Sequence, residues 1–393
     1  MAYVKKIVSY AYRIMFNFIA TVTRPVPKTV LFESFSGKLP GDSPYPVYQA
    51  LQQAHSDWRL VFGVKARYYD QAVQAFPDVV FMKRFSARWL FFAPRAQYWI
   101  FNARFPEWLK KNSGTTYIQI WHGTPLKKLG LDIDNVTMPG YTTAQYHERF
   151  VKDSHRWDYL VAQNSYSEQI FSRAFDFHGQ YLEIGYPRND RLVKHRDDAA
   201  YQRKLREQLV GSVSGKVIMY APTWRDDNFV RPGVYRLNLP FDLGKVSALL
   251  GPDNHLIIRP HYLVADAIDV SAYSNISVES SVDIADLYLI SDALVTDYSS
   301  VMFDYAIMGR PMLFFPYDEA HYEDDTRGFY FDYEQVPGPI IHSATEFYDQ
   351  LSKLIAGETK NLAEVAAFQQ QYCPWDNGQA SNAIATLVDE KHQ

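Results

Sequence analysis

The stretch ALVTDYSSVMFDYAIMGRPMLFFPYDEAHYEDDTRGFYFDY, residues 293–333, decides how the rest of the chain is read. It opens with the apolar run Ala293 to Thr296, passes through Asp297, Tyr298, Ser299 and Ser300, and then shows a helical pattern closed by Gly309-Arg310-Pro311. That order predicts strand, loop, helix. It sets the two serines at a helix N-terminus, where unpaired N–H groups and the positive dipole end favour an anion such as phosphate. Met312 to Phe315 reads as the next parallel strand, followed by an acidic, aromatic loop with Asp324, Asp325 and Arg327. Ligands of open α/β sheets sit beyond the carboxyl ends of the strands, which is where these groups fall. Taken alone, Asp297 and the serines serve equally well as helix caps.

The flanking sequence repeats the same order. Val217 to Tyr220 reads as a strand leading to Ala221-Pro222-Thr223-Trp224-Arg225, and Leu256 to Arg259 as another leading to Pro260-His261-Tyr262. Toward the N-terminus, strands are expected at Thr29–Glu33, Arg59–Val64, Val79–Met82, Tyr98–Asn102, Tyr117–Trp121 and Tyr159–Ala162, with helical patterns between them. Such alternation means parallel sheets. The glycine fingerprint of dinucleotide sites is absent after the first strand, so a bound dinucleotide is not indicated. The strand Tyr117–Trp121 delivers His122 into Gly123-Thr124-Pro125, a position suited to a general base, although a histidine there can also simply close a strand by hydrogen bonding. Arg188, in GYPRNDRL, reads either as a phosphate contact or as a structural salt bridge.

With 393 residues, 47% of them hydrophobic, and a formal net charge of -4, the chain is long enough for two globular domains. One cysteine, Cys373, excludes a disulfide framework and a cysteine-rich metal site and fits a reducing compartment. The charge is unevenly spread: residues 1–120 hold 16 Lys and Arg against 6 Asp and Glu. A basic first third points to an anionic partner, nucleic acid or membrane. The basic residues of 83–111 alternate with Trp89, Phe91, Phe92, Trp99, Phe105 and Trp108, which favours lipid, and nothing resembles a nucleic-acid module. Residues 3–23 show apolar positions at helical spacing, but the charge-free run between Arg13 and Arg24 is only ten residues, short of the roughly 20 needed to span a bilayer. The segment reads as an interfacial amphipathic helix or as a helix packed on the first domain.

Six ordered motifs carry a resemblance: IQIWHGTPLKKLG, the segment around Gln163-Asn164-Ser165, GYPRNDRL, APTWR, RPH, and TDYSSVMFDYA with RPMLFFPYD and EDDTRGFYFDY. Together they closely resemble the CDP-glycerol glycerophosphotransferases, which prime and polymerise the glycerol phosphate chains of wall teichoic acid. The resemblance implies an α/β fold of GT-B type, two Rossmann-like domains with parallel sheets facing across a cleft, plus the N-terminal amphipathic helix. The corresponding division is 1–27 for the membrane-associating segment, 28–190 for an acceptor domain, 191–360 for a CDP-glycerol-binding domain and 361–393 for C-terminal helices that pack back on the first domain. It further implies that an acceptor hydroxyl attacks the β-phosphorus of CDP-glycerol and releases CMP. His122 would take the acceptor proton. His261, Arg225, Arg327 and the N–H groups at Ser299 and Ser300 would hold the phosphates, with Arg188 a further contact and Asp297, Asp324 or Asp325 fixing donor hydroxyls.

An acidic cluster in a phosphate enzyme also points to Mg²⁺. The implied acceptor is a polyprenyl-diphosphate disaccharide met at an anionic membrane surface, on the cytoplasmic face of a Gram-positive cell. Polymerases of the family carry an extra N-terminal portion, so priming, or addition of a very few units, is the first expectation. A CDP-glycerol or CDP-ribitol polymerase, a GT-B nucleotide-sugar glycosyltransferase and a non-catalytic membrane-bound scaffold are the competing readings.

Overall fold

The structure, a computed structural model, describes residues 2–136, 142–223, 229–231, 234–235, 239–260, 268–318, 328–359 and 361–391, without the side chains of 2–5 and of the two strands within 229–235. The chain divides into two compact units. The first comprises Met1–Gly123, Lys128–Asp190 and Trp375–Gln393, and the second Thr124–Lys127 and Arg191–Pro374.

In the first unit the strands are β1 Val26–Glu33, β2 Arg59–Val64, β3 Phe81–Lys83, β4 Ala96–Phe101, β5 Thr116–Gln119, β6 Tyr159–Ala162 and β7 Gln180–Glu183. All pair in parallel, in the order β3-β2-β1-β4-β5-β6-β7. Val30, Leu31 and Phe32 of β1 and Trp99 and Ile100 of β4 are wholly buried. Continuous apolar runs of this kind arise because helices cover both faces of a parallel sheet. One cover is the helix Pro44–Ala54, whose Val47, Tyr48 and Leu51 face the core. The last helix, Ala380–Glu390, joins the same core through Ile384 and Val388, and the backbone oxygen of Val388 accepts a hydrogen bond from the Tyr98 hydroxyl at 2.9 Å.

The second unit contains β8 Val217–Ala221, β9 Phe229–Arg231, β10 Val234–Tyr235, β11 His255–Ile258, β12 Ile276–Val278, β13 Ala293–Thr296 and β14 Met312–Phe314. Five of them form a parallel sheet in the order β12-β11-β8-β13-β14, and β9 and β10 form a separate antiparallel pair. In each unit the strand order reverses once, between β1 and β4 and between β8 and β13. At such a point the loops leaving two adjacent strands diverge and open a crevice, the usual ligand site of doubly wound sheets. Two parallel α/β sheets agree with the expected fold class. Strands β7 and β12 and the β9/β10 pair were not anticipated.

The N-terminal helix spans Ala2–Val22. Phe16, Ile19 and Ala20 are buried, and the Phe16 ring lies against Trp89 at 5.5 Å between centroids. Ile7, Val8, Ile14, Met15, Phe18 and Val22 are 47–61% exposed. One face of the helix thus packs on the first unit, as the second sequence reading expected, and a second apolar stripe is left open. Among the described residues no helix is long and apolar enough to cross a membrane.

Candidate active site

In the first unit the reversal point is built from the loops after β1, β4 and β5. Asn102, the residue after β4, is fully buried and uses its whole side chain: its Oδ1 accepts from the Phe35 backbone N–H at 2.7 Å, and its Nδ2 donates to Asp42 Oδ1 at 3.0 Å. Its backbone oxygen lies 2.7 Å from His122 Nδ1. A carbonyl can only accept, so Nδ1 carries the proton and Nε2 is left as the lone-pair nitrogen. That is the tautomer a general base needs. His122 is solvent-exposed as a residue, yet protein surrounds its ring closely enough that desolvation, the leading influence, holds its pKa below the ordinary imidazole value. The Asn102 carbonyl and Asp42 oppose this, and Arg188 reinforces it.

The backbone here is strained. Phe35, Ser36, Asp42 and Trp121 have φ of +45°, +58°, +52° and +58°, and Gly123, on the far side of His122, has φ of +141°. A left-handed tryptophan costs roughly 1–3 kcal/mol. The Trp121 ring recovers it in a cage of Phe150, Phe171, Phe175 and Trp157, with Phe175 at 4.6 Å between centroids; aromatic pairs contribute about 0.5–1.5 kcal/mol each beyond their buried area. The turn is thereby fixed with the imidazole aimed outward.

Arg188 donates to Asp42 Oδ2 at 2.9 Å, and each side chain is 12% exposed. Burial alone would raise the Asp42 carboxyl, but Arg188, the Ser43 N–H and the Asn102 amide together hold it below its ordinary value. His122 also lines a cavity of about 490 Å³ together with Arg84, Arg104, Arg149, Trp108 and Tyr146. Arg84 is engaged by Glu33 and Arg149 faces Glu107 at 3.7 Å, whereas the Arg104 guanidinium lies over the rings of Phe150 and Tyr146 at 4.6 and 5.1 Å.

In the second unit the equivalent position after β13 is Asp297, fully buried. Its Oδ1 accepts from the Thr223 N–H at 2.7 Å and the Thr223 hydroxyl at 2.5 Å. Asp297 thus pins the loop leaving β8, and this oxygen is turned inward to that loop. Ser299 and Ser300 are partly buried at the start of the helix Val301–Tyr305, and Ser300 makes no side-chain cap. The α-helix is only five residues long before it tightens into a 3₁₀ turn, Ala306–Met308. Its dipole is correspondingly short, and the local N–H groups of the first turn are what remains to attract an anion. His261, Arg225, Asp324, Asp325 and Arg327 lie outside the described residues.

Among the described residues one group has metal-ligand spacing, His155, Asp176 and His178, with ligand atoms within 4.8 Å of one another. It flanks the amino ends of β6 and β7, the opposite end of the sheet from His122, and its nitrogen-rich set suits zinc-like ions rather than Mg²⁺. The acidic loop to which Mg²⁺ was assigned lies outside the described residues, and no step is routed through the ion. Sequence reasoning missed Asn102, Asp42, Arg104 and Thr223. The available signal was positional: a polar residue directly following an apolar strand at a reversal point.

The comparisons with known proteins agree with the fold and the motifs. Residues 15–390 match the family described as CDP-Glycerol:Poly(glycerophosphate) glycerophosphotransferase. The chain is 43% identical over 387 residues to a teichoic acid glycerol-phosphate transferase of Staphylococcus aureus, covering 98% of both chains. It is 39% identical to the teichoic acid poly(glycerol phosphate) polymerase of Bacillus subtilis over 98% of its own length, spanning about half (51%) of that longer relative. A teichoic acid glycerol-phosphate primase of the same organism is 28% identical over 72% of the chain. The solved structure of a histidine variant of the wall teichoic acid polymerase TagF soaked with CDPG superimposes with a TM-score of 0.91 at 40% identity, covering 99% of this chain and 96% of that one. The chain is an enzyme of teichoic acid synthesis and belongs to the CDP-glycerol:poly(glycerophosphate) glycerophosphotransferase family.

Proposed function

We propose that this enzyme transfers glycerol phosphate from CDP-glycerol to the terminal hydroxyl of a polyprenyl-diphosphate-linked acceptor that already carries glycerol phosphate. The acceptor oxygen attacks the β-phosphorus, the bond to the α-phosphate oxygen breaks, and CMP leaves. His122 Nε2 takes the hydroxyl proton. The observation that carries this reading is the pairing of a base-competent imidazole with an arginine-lined cavity in one unit. The lining also holds Glu107 and Asp153, and Arg84 and Arg149 face carboxylates, so Arg104, held over the Phe150 and Tyr146 rings, is the residue we assign to a phosphate of the acceptor. The second unit takes the donor, with the N–H groups at Ser299 and Ser300, Arg225, His261 and Arg327 on its phosphates and Asp324 or Asp325 on its hydroxyls. Charge stabilisation and positioning are most of what phosphoryl transfer requires.

Priming, the first expectation from sequence, remains the second reading. The stronger likeness to a transferase and a polymerase than to a primase favours extension. Mass spectrometry of products from CDP-glycerol, with bare and primed soluble acceptors and CMP release followed in parallel, separates the two. A ladder on the primed acceptor is expected; a single addition confined to the bare acceptor would establish priming instead. His122→Ala should lower kcat/KM by about 10² or more, as loss of a general base does; a loss of only a few-fold would remove His122 from that role.

The open stripe of the N-terminal helix is the proposed contact with the cytoplasmic face of the membrane. Deleting residues 1–23 should abolish sedimentation with anionic vesicles. Unchanged sedimentation would rule the helix out as the anchor.

A further inference from the structure

A second cavity of the first unit is larger than the one that His122 lines. It has a volume of about 980 Å³ and is walled by the amino ends of β1 and β2, by β3 and by the segment Ser86–Arg95. Its lining includes four cations, Arg59, Lys83, Arg88 and Arg95, and not one Asp or Glu. None of the four enters an ion pair among the described residues, and Asp57, two residues before Arg59, is paired to Lys28 at 2.5 Å. All four are solvent-exposed, and four like charges gathered on one concavity make a local positive field that favours an anion. Two of them are held in position by rings: Arg59 lies over Phe92 at 4.9 Å and Lys83 over Tyr69 at 4.5 Å. Arg88, Phe91 and Arg95 follow one another at helical spacing along one wall, and Phe91 and Val80 on the rim are 56% and 58% exposed.

The segment that walls this cavity packs on the N-terminal helix. Phe16 packs on Trp89, Tyr12 donates to the Ser86 carbonyl at 3.3 Å, and the Tyr12 ring meets Phe85 edge-on at 6.1 Å. The helix with the open apolar stripe and the segment forming the cationic wall are thus one packed body. An occupant must satisfy both features, with an anionic head for the four cations and an apolar part for Phe91 and Val80.

We propose that this cavity binds the phosphate head of an anionic membrane phospholipid, with Arg59, Lys83, Arg88 and Arg95 around the phosphate and the first acyl carbons on Phe91 and Val80. The site lies at the amino ends of β1 and β2, whereas His122 lies beyond the carboxyl end of β5, so it is separate from the reacting centre. It rests on the peripheral-membrane reading but adds to it a defined lipid site that orients the first unit on the surface.

The test uses the full chain and dihexanoyl phosphatidylglycerol below its micelle concentration, followed by titration calorimetry. Wild type should bind one molecule saturably. The double variant Arg88→Ser/Arg95→Ser should lose that binding while keeping its rate on a soluble acceptor. On vesicles of phosphatidylglycerol in phosphatidylcholine, the double variant should bind about 25-fold more weakly, since each cation near an anionic surface is worth about fivefold. A matched double variant elsewhere, Arg203→Ser/Lys204→Ser, should bind like wild type. Equal weakening by both pairs, or no saturable binding of the short-chain lipid, overturns the site even where vesicle binding through the helix persists. Binding only when polyprenyl diphosphate replaces phosphatidylglycerol in the vesicles would assign the cavity to the acceptor lipid and likewise overturn the proposal. Unchanged vesicle binding after deletion of residues 1–23, with saturable short-chain binding intact, would count against the helix and support the cavity.

Discussion

Asp42→Asn tests the construction of the base most directly. The carboxylate accepts from Ser43 N–H at 2.7 Å, from Asn102 Nδ2 at 3.0 Å and from Arg188 at 2.9 Å. An asparagine can keep the first two bonds through its oxygen but turns an NH₂ group toward Arg188, donor against donor. A guanidinium 12% exposed then loses this counter-charge, and removing one partner of a buried pair costs about 3–5 kcal/mol. For a unit of this size each kcal/mol is worth about 2–4 °C, so the melting temperature should fall by about 10 °C. His122 responds in a defined direction. Asp42 holds the imidazole pKa up and Arg188 pushes it down, so losing Asp42 removes a raising influence and leaves the lowering one in place. The acid limb of kcat/KM should move to lower pH. Stability carries its own signature: a carboxyl held below its ordinary value adds stability above the unfolded pKa that is lost as pH falls through the folded one. The variant should lack that acid-side slope. Asp42→Asn/Arg188→Gln, neutral on both sides, should recover most of the melting temperature. An acid limb that moves upward, or a melting temperature unchanged in the single variant, would refute the reasoning.

Three further outcomes follow from other sites. Arg84→Met leaves Glu33 buried without its partner at 3.0 Å, which should cost about 3–5 kcal/mol in urea melts at pH 7.5. Burial already raises the Glu33 pKa despite Arg84, and a raised carboxyl contributes stability at low pH that is lost as pH rises through the folded pKa. The penalty should therefore shrink by pH 5, and a penalty independent of pH would count against it. Gly130→Ala places a Cβ 2.0 Å from the Ala174 carbonyl oxygen at a φ of +50°, so a loss above about 2 kcal/mol is expected in the same assay. Thr223→Val keeps the backbone bond to Asp297 and removes the hydroxyl one. It should raise KM for CDP-glycerol several-fold and leave the acceptor KM unmoved; an equal rise in both would detach this loop from the donor.

Much of this was legible in the sequence, because parallel strands buried on both faces read as apolar runs. Ala293–Thr296 and Tyr159–Ala162 were placed to the residue, and the N-terminal helix to within about one. What escaped were strands at the sheet edges. Gln180–Glu183 is half open to solvent, with a polar residue at each end, and Ile276–Val278 has only three residues. Such segments carry little hydrophobic signal, since one neighbour supplies their pairing. His122, the proposed base, was visible because a histidine followed by glycine at a strand exit is a local pattern. Its supports were not, because Asp42, Asn102 and His122 are brought together by loops of three different strands, a relation that only strand order defines.

That strand order also explains why two unlike sites share one device. Where a doubly wound sheet reverses, the loop after the central strand leaves the ladder with its N–H groups unpaired, and a buried N–H without a partner costs about 1–3 kcal/mol. In the first unit the residue directly after the neighbouring strand, Asn102, accepts from Phe35 N–H at 2.7 Å; in the second, Asp297 accepts from Thr223 N–H at 2.7 Å. Each is wholly buried, and each closes the crevice floor across the reversal. The difference between them is chemical. An amide can accept from the loop while its NH₂ group donates to Asp42, which carries the constraint on to the carboxylate that faces His122 and adds no second charge there. A carboxylate can only accept, so Asp297 spends its oxygen on both Thr223 donors and tightens the loop that leads to Arg225. Exchanging the two residue types would strand a donor in one unit and bring a charge under His122 in the other. The amide therefore belongs beneath the base and the carboxylate beneath the loop that must be held.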